Sequence, residues 1–120
     1  MRAALFGLVS VLLALGPAQA LDGTYTGKGG SPRDTTWNLR AKIAPAADGR
    51  FKVNVQSDNA SCASEMDGVG TLANQTLRVT GDCDLSISVN GDSLQITEGP
   101  SCIMAHGAGC EFSGDVRKIE

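Results

Sequence analysis

Five runs of this chain alternate apolar and polar side chains with period two, and that pattern leaves little room for anything but an antiparallel sheet. Trp37, Leu39, Ala41 and Ile43 share one face of a run whose other face is Asn38, Arg40 and Lys42. Phe51, Val53 and Val55 alternate with Lys52, Asn54 and Gln56. Leu77 and Val79 alternate with Arg78 and Thr80, Leu85, Ile87 and Val89 with Ser86 and Ser88, and Leu94 and Ile96 with Gln95 and Thr97. Successive side chains of a strand point to opposite faces, so each run is a strand with one wet and one buried side. No run carries an apolar stripe at helical spacing over ten residues or more.

The gaps between the runs are turn chemistry. Ala47-Asp48-Gly49, Ala73-Asn74-Gln75-Thr76 and Asn90-Gly91-Asp92 are short links. Asn-Gly is a strong hairpin signal because both central positions favour positive φ. Gly68 and Gly70 inside a strand-like stretch predict a bulge or sharp bend. Gly29-Gly30-Ser31-Pro32-Arg33-Asp34 is expected to be an exposed loop. Eight strands are expected, near Gly23–Gly27, Thr35–Ala44, Arg50–Ser57, Ser61–Leu72, Thr76–Cys83, Asp84–Val89, Ser93–Glu98 and Gly109–Lys118. Sequential hairpins favour an up-and-down order, and closing the sheet removes its exposed edges. The expected fold is all-β: a small antiparallel β-barrel of about eight strands, stapled by disulfides.

The first twenty residues have the three parts of a secretory signal. Arg2 supplies the positive start, Ala3–Leu15 the apolar stretch, and Ala18-Gln19-Ala20 a small-x-small cleavage site after Gly16-Pro17. The apolar stretch is short for a membrane span, which takes about 20 residues. Cleavage after Ala20 is expected, leaving a single domain over 21–120. No Cys follows that site, so no lipid anchor on a new N-terminal Cys is expected. Arg2 is one of ten Lys and Arg, set against 13 acidic residues, so its loss leaves a net charge near −4. That balance disfavours nucleic acid and anionic membrane and favours a basic partner. The expected location is periplasmic or secreted.

Four cysteines, Cys62, Cys83, Cys102 and Cys110, all follow the cleavage site, and an even count in an exported chain reads as a disulfide framework. Cys102 and Cys110 bracket a Gly-rich loop and are expected to pair. Cys62 and Cys83 flank the Asn74-Gln75 turn on adjacent strands and are expected to meet after a register shift. Sequence alone leaves three connectivities open. Even spacing of Cys102, His106 and Cys110 suggests a metal, but zinc sites want four ligands and exported thiols oxidise, so no metal or cofactor is expected.

No catalytic constellation is visible. There is one His, no Gly-x-Ser-x-Gly, no His-Glu-x-x-His and no phosphate loop. Asp82 and Asp84 flank Cys83 and read as solvated carboxylates. The expectation is a non-enzyme. His106 has two readings: a structural ring bonded to backbone carbonyls, or a contact residue on a rigidly presented loop. The sequons Asn59-Ala60-Ser61 and Asn74-Gln75-Thr76 are read as chance beside a leader of bacterial type.

The stretch Cys102-x-x-x-His106-Gly107-x-x-Cys110-x-Phe112-x-Gly114, preceded by Cys83 and the Leu85–Val89 run, resembles a segment of small exported proteobacterial proteins. Some of these are grouped with the periplasmic inhibitors of vertebrate c-type lysozyme (the PliC/MliC kind). The resemblance covers roughly the C-terminal half of the expected domain. It implies a small barrel whose surface loop enters the lysozyme cleft and offers hydroxyl and cationic groups to the catalytic carboxylates. His106 and Gly107 would lie on the presented loop, Ser113 would stand for the hydroxyl, and Arg117 or Lys118 would supply the cation. The inhibitors' loop continues to a Tyr, where this chain has Asp115-Val116-Arg117. The alternative expectation is a barrel that binds a small ligand or a cell-envelope component.

Overall fold

A computed structural model describes residues 21–120; the leader reading falls on residues 1–20, outside the described residues. Eight antiparallel strands run β1 Gly23–Gly30, β2 Thr36–Pro45, β3 Phe51–Asp58, β4 Ala63–Ala73, β5 Thr76–Gly81, β6 Leu85–Asn90, β7 Ser93–Glu98 and β8 Gly114–Lys118. Each pairs with its sequence neighbour, and β8 returns to β1, so the sheet closes into an up-and-down barrel. Closure leaves no sheet edge to be covered or charged. Among the described residues no helix is long and apolar enough to cross a membrane.

The alternating residues fill the barrel. Tyr25, Leu39, Ala41, Ile43, Val53, Val55, Met66, Leu77, Val79, Ile87, Leu94, Ile96, Phe112 and Val116 are all buried and form one cluster. An eight-stranded barrel is just wide enough for its side chains to fill it. Tyr25 seals one end, donating its hydroxyl to the Leu21 carbonyl at 2.8 Å. Burial, reinforced by Asp92 and Asp22, raises the pKa of that phenol and keeps it a donor.

Three local expectations are corrected. Gly29 and Gly30 are strand residues, paired with Trp37 and Thr36, rather than loop. Glycine is poor strand material in general, but here the space of a missing Cβ is taken by the indole of Trp37, which donates Nε1–H to the Ser113 carbonyl at 2.9 Å. Gly68 and Gly70 make no bulge, because β4 stays in continuous register with β3 and with β5. They are inward positions where Val79 and Leu77 press against the β4 backbone. The last strand begins at Gly114 rather than Gly109, because the preceding residues are held in the connection described below.

The turns divide by type. Asn74 and Gln75 both have positive φ, as a type I′ hairpin requires. The β6–β7 hairpin closes on Asn90↔Ser93, so its central pair is Gly91-Asp92, with positive φ at Gly91 only. That is the type II′ pattern, one residue on from the Asn-Gly reading.

The Ser57 hydroxyl is buried and has no hydrogen-bond partner. Unsatisfied buried hydroxyls cost about 1–3 kcal/mol. Ser57→Ala is therefore expected to stabilise the domain by roughly 1 kcal/mol, read as a higher urea midpoint at unchanged slope. A lower midpoint would mean that the hydroxyl has a partner in solution.

Candidate functional site: the pinned connection at one barrel end

Up-and-down order sends the links β1–β2 (31–35), β3–β4 (59–62), β5–β6 (82–84) and β7–β8 (99–113) to the same barrel end. All four cysteines are in these links. The β7–β8 connection is the long one. Connections of this length without much regular structure are uncommon in compact domains and are frequently functional.

The connection is pinned twice. Cys102 bonds Cys83 in the β5–β6 link, and Cys110 bonds Cys62 in the β3–β4 link, with Cα–Cα separations of 4.9 and 6.3 Å. This corrects the expected pairs Cys102–Cys110 and Cys62–Cys83. The β4–β5 register, Gly68↔Gly81, sets Cys83 opposite Met66, four residues short of Cys62. Four strand residues span about 13 Å, beyond the roughly 7 Å Cα limit for a disulfide. With no bulge at Gly68–Gly70 there is no register shift to close that gap. Both cysteines of the Cys102-x-x-x-His106-x-x-x-Cys110 spacing are thus consumed. No group of three or more His, Cys, Asp or Glu among the described residues is placed to hold a metal ion. Two disulfides fit an oxidising compartment.

Hydrogen bonds complete the clamp. Gly99 N–H donates to the Asp84 carbonyl at 2.8 Å, and Asp84 N–H to Ser101 Oγ at 3.0 Å. Pro100 opens a short 3-10 turn, Pro100–Met104, with its fixed φ at a position that needs no donor. Asn59 is the central tie. Its Oδ1 accepts from Ser61 and Cys62 N–H, and its Nδ2 donates to the Thr36 carbonyl at 3.0 Å and the Gly109 carbonyl at 2.7 Å. One side chain thereby joins the β3–β4 link, the start of β2 and the β7–β8 connection. The sequence showed this residue only as part of a sequon.

His106 turns inward. Its Nε2 lies 2.9 Å from Glu98 Oε2, and its Nδ1 lies 2.8 Å from the Gly107 carbonyl. The two side chains are 9 and 11% exposed. The other Glu98 oxygen, Oε1, accepts the Phe112 N–H at 2.8 Å, and the imidazole meets the Phe112 ring edge-on at 5.5 Å. Both ring nitrogens face acceptors, which suits the doubly protonated ring. Burial pulls the His106 pKa down, but the hydrogen bonds to Glu98 and Gly107 and the charges of Glu98 and Glu111 outweigh it, and the pKa stands above the ordinary imidazole value.

A raised folded-state pKa makes the bound proton stabilising. That contribution is complete below the unfolded-chain value near 6.5 and is lost as pH rises through the folded value. Thermal midpoints are expected to fall as pH is raised from about 6 into the alkaline range, and His106→Gln should flatten that slope. An unchanged slope in the variant would assign the dependence to other groups.

The remaining expected site residues divide between two places. Gly107 is exposed in the connection and donates its N–H to Ser64 Oγ at 3.1 Å. Ser113 is half-buried; its Oγ accepts from Glu98 N–H at 3.0 Å and its carbonyl takes the Trp37 indole. Arg117 and Lys118 lie further along β8, about 13 and 17 Å of strand from Ser113. Arg117 is exposed on the barrel wall, whereas Lys118 reaches over Tyr25 at the opposite end, its Nζ 5.7 Å from the ring centroid.

What the connection presents is apolar. Ile103 is 66% and Met104 92% exposed, side by side beyond Cys102. Around them the links of this end carry exposed Asp34, Asp82, Asp84 and Glu111 against Arg33. The Ile-Met pair was not singled out from the sequence, although two large hydrophobes next to a cysteine in a Gly-rich loop were there to be read; of its acidic surround, Asp82 and Asp84 were read only as solvated carboxylates.

The architecture so defined is an eight-stranded antiparallel barrel with one doubly disulfide-pinned connection. No family model, no curated protein and no solved structure matches this chain.

Proposed function

We propose that this chain is an exported interaction protein, periplasmic or secreted, which docks a basic protein on the pinned barrel end. We take c-type lysozyme as that partner, inhibited by entry of the β7–β8 connection into its cleft. The observation that carries the reading is the exposed Ile103–Met104 pair on a connection held by two disulfides. Pinning in advance lowers the ordering cost of binding, and methionine is enriched at interfaces. The acidic surround steers a basic partner and disfavours others. The resemblance of the Cys102–Gly114 segment supplies the particular enzyme. The cation expected from Arg117 or Lys118 lies off the connection, so the apolar pair takes the leading role here. A ligand housed inside the barrel is the weaker reading, because side chains fill the axis.

The test is lysis of a cell-wall suspension by egg-white lysozyme in the presence of the purified domain. Slowed lysis is expected for the wild type, and Met104→Asp should weaken inhibition at least tenfold while leaving the fold intact. Undiminished lysis at a large molar excess of the domain would refute the partner. Full potency of both Ile103→Asp and Met104→Asp would refute the surface.

A further inference from the structure

The barrel wall away from the pinned end carries a second feature. Thr26 on β1 pairs with Arg117 on β8 and with Arg40 on β2, Arg117 pairs with Ser93 on β7, and Arg40 pairs with Gln56 on β3. Each of the five adjoins at least one buried strand residue, and partners in register share a face, so all five lie on the outer face. Two strand spacings separate the arginine Cα atoms, roughly 10 Å. The two arginines therefore flank Thr26 in the register of the sheet. Among the described residues neither arginine makes an ion pair. In the next row Lys28 pairs with Asp115 and with Asn38, and Asn38 donates to Asp58 at 3.1 Å, so that row has its own cation for one of its two carboxylates and an amide for the other. Beyond Gln56, Glu65 is taken up by the amides of Asn54 and Gln56. The arginine row is left with positive charge and open donors.

Two grooves meet on this row. One of about 890 Å³ runs over β6, β7 and β8 and is floored by Ser88, Asn90, Ser93 and Gln95; the other, of about 570 Å³, runs over β2 and β3 past Asn38 and Gln56. Both are lined by Thr26 and Gly27, with Arg117 in the first and Arg40 in the second. Hydroxyl and amide groups share the lining with the carboxylates of Asp115 in the first groove and Asp58 in the second and with apolar wall, and the exposed large hydrophobes of the domain, Val69, Ile103, Met104 and Ile119, lie in neither groove.

We infer that this trough binds an acidic oligosaccharide, with Arg40 and Arg117 clamping a carboxylate or phosphate over Thr26 and the flanking amides and hydroxyls taking sugar hydroxyls. Guanidinium is the side chain suited to bidentate contact with such anions. Asn, Gln, Ser and Thr supply both donors and acceptors for a polyhydroxylated chain. A membrane surface fits less well, because the trough offers no apolar side chain to insert between lipids. The site is separate from the Ile103–Met104 surface, so it stands or falls independently of the lysozyme reading.

Calorimetric titration with tetragalacturonate tests it, with maltotetraose as the neutral chain, a tetrasaccharide phosphate ester as the second anion source, and phosphatidylglycerol vesicles as the lipid surface. Tetragalacturonate is expected to bind with an affinity that falls as salt rises, and maltotetraose far more weakly. Binding of the phosphate ester as well would assign the clamp to anions in general, and its failure would assign the clamp to carboxylates; either supports the trough. Arg40→Gln and Arg117→Gln should each weaken binding by roughly tenfold or more, the loss expected for a charge-assisted hydrogen bond. Thr26→Val should weaken it less. Both arginines are exposed, so an unchanged near-ultraviolet circular dichroism spectrum is the check on folding. No binding of either anionic chain at millimolar concentration, binding unaffected in the double variant, or equal retention on vesicles would each overturn the inference.

Discussion

Removing the Cys62–Cys110 bridge, as Cys62→Ala with Cys110→Ala, is expected to lower domain stability by about 4 kcal/mol, the loop-entropy value for a separation of 48 residues. For a chain of this size that is a fall in melting temperature on the order of 20 °C. The bridge joins the β3–β4 link to the β7–β8 connection, four residues before β8 begins and closes the barrel against β1. Freed of it, Asn59 has to hold the Gly109 carbonyl alone. The shorter Cys83–Cys102 loop of 19 residues predicts a loss of about 3 kcal/mol. The functional effects should run the other way. Cys102 adjoins Ile103 and Met104, so Cys83→Ala with Cys102→Ala is expected to cost more inhibition than the first pair at a temperature where both variants stay folded. Urea denaturation and the lysis assay, read on both double variants, separate the two roles. Equal losses of stability and inhibition in both would remove the distinction.

The second large effect is expected from Glu98→Ala, a loss of about 3 kcal/mol. Glu98 is the acceptor for both His106 Nε2 and the Phe112 N–H. Truncation strands a backbone donor beside the buried Phe112 ring and removes the counter-charge of the imidazolium. Breaking a buried pair from one side costs more than the pair itself contributes, because the remaining group stays desolvated. Glu98→Gln is the informative companion. It keeps an acceptor for Phe112 but not the charge, so it should recover part of the stability while lowering the His106 pKa and flattening the pH slope. A proton-detected titration of the imidazole reads this directly. A His106 pKa unmoved in Glu98→Gln would mean that the glutamate does not hold the proton.

The barrel was legible from the chain because its signal is local. Alternation in the Trp37, Phe51, Leu77, Leu85 and Leu94 runs is set by neighbours one and two residues away, and each run became a strand within a residue or two of its expected bounds. Errors gathered where a residue's surroundings come from distant chain. Gly29 reads as loop until Trp37 lies against it. Gly68 and Gly70 read as a bulge until Val79 and Leu77 occupy their missing side chains. Disulfide connectivity failed for the same reason: it depends on the β4–β5 register and on which links share a barrel end, neither of which is written between Cys62 and Cys83. At the candidate site, His106 and Gly107 were singled out by their place in a cysteine-bracketed loop and by the resemblance of that segment, whereas Glu98 and Asn59, which hold that connection, look like ordinary strand-end and turn residues. The row Arg117–Thr26–Arg40 joins parts of the chain that only barrel closure brings side by side.

A β7–β8 connection tied to two different links underlies both the stability and the docking proposed for this chain. Proteolysis of the unreduced protein, followed by mass analysis of the linked fragments, tests it most directly. The expected products join the segment holding Cys62 to that holding Cys110, and Cys83 to Cys102. A fragment carrying Cys102 bonded to Cys110, or four free thiols in protein exported to an oxidising compartment, would contradict it.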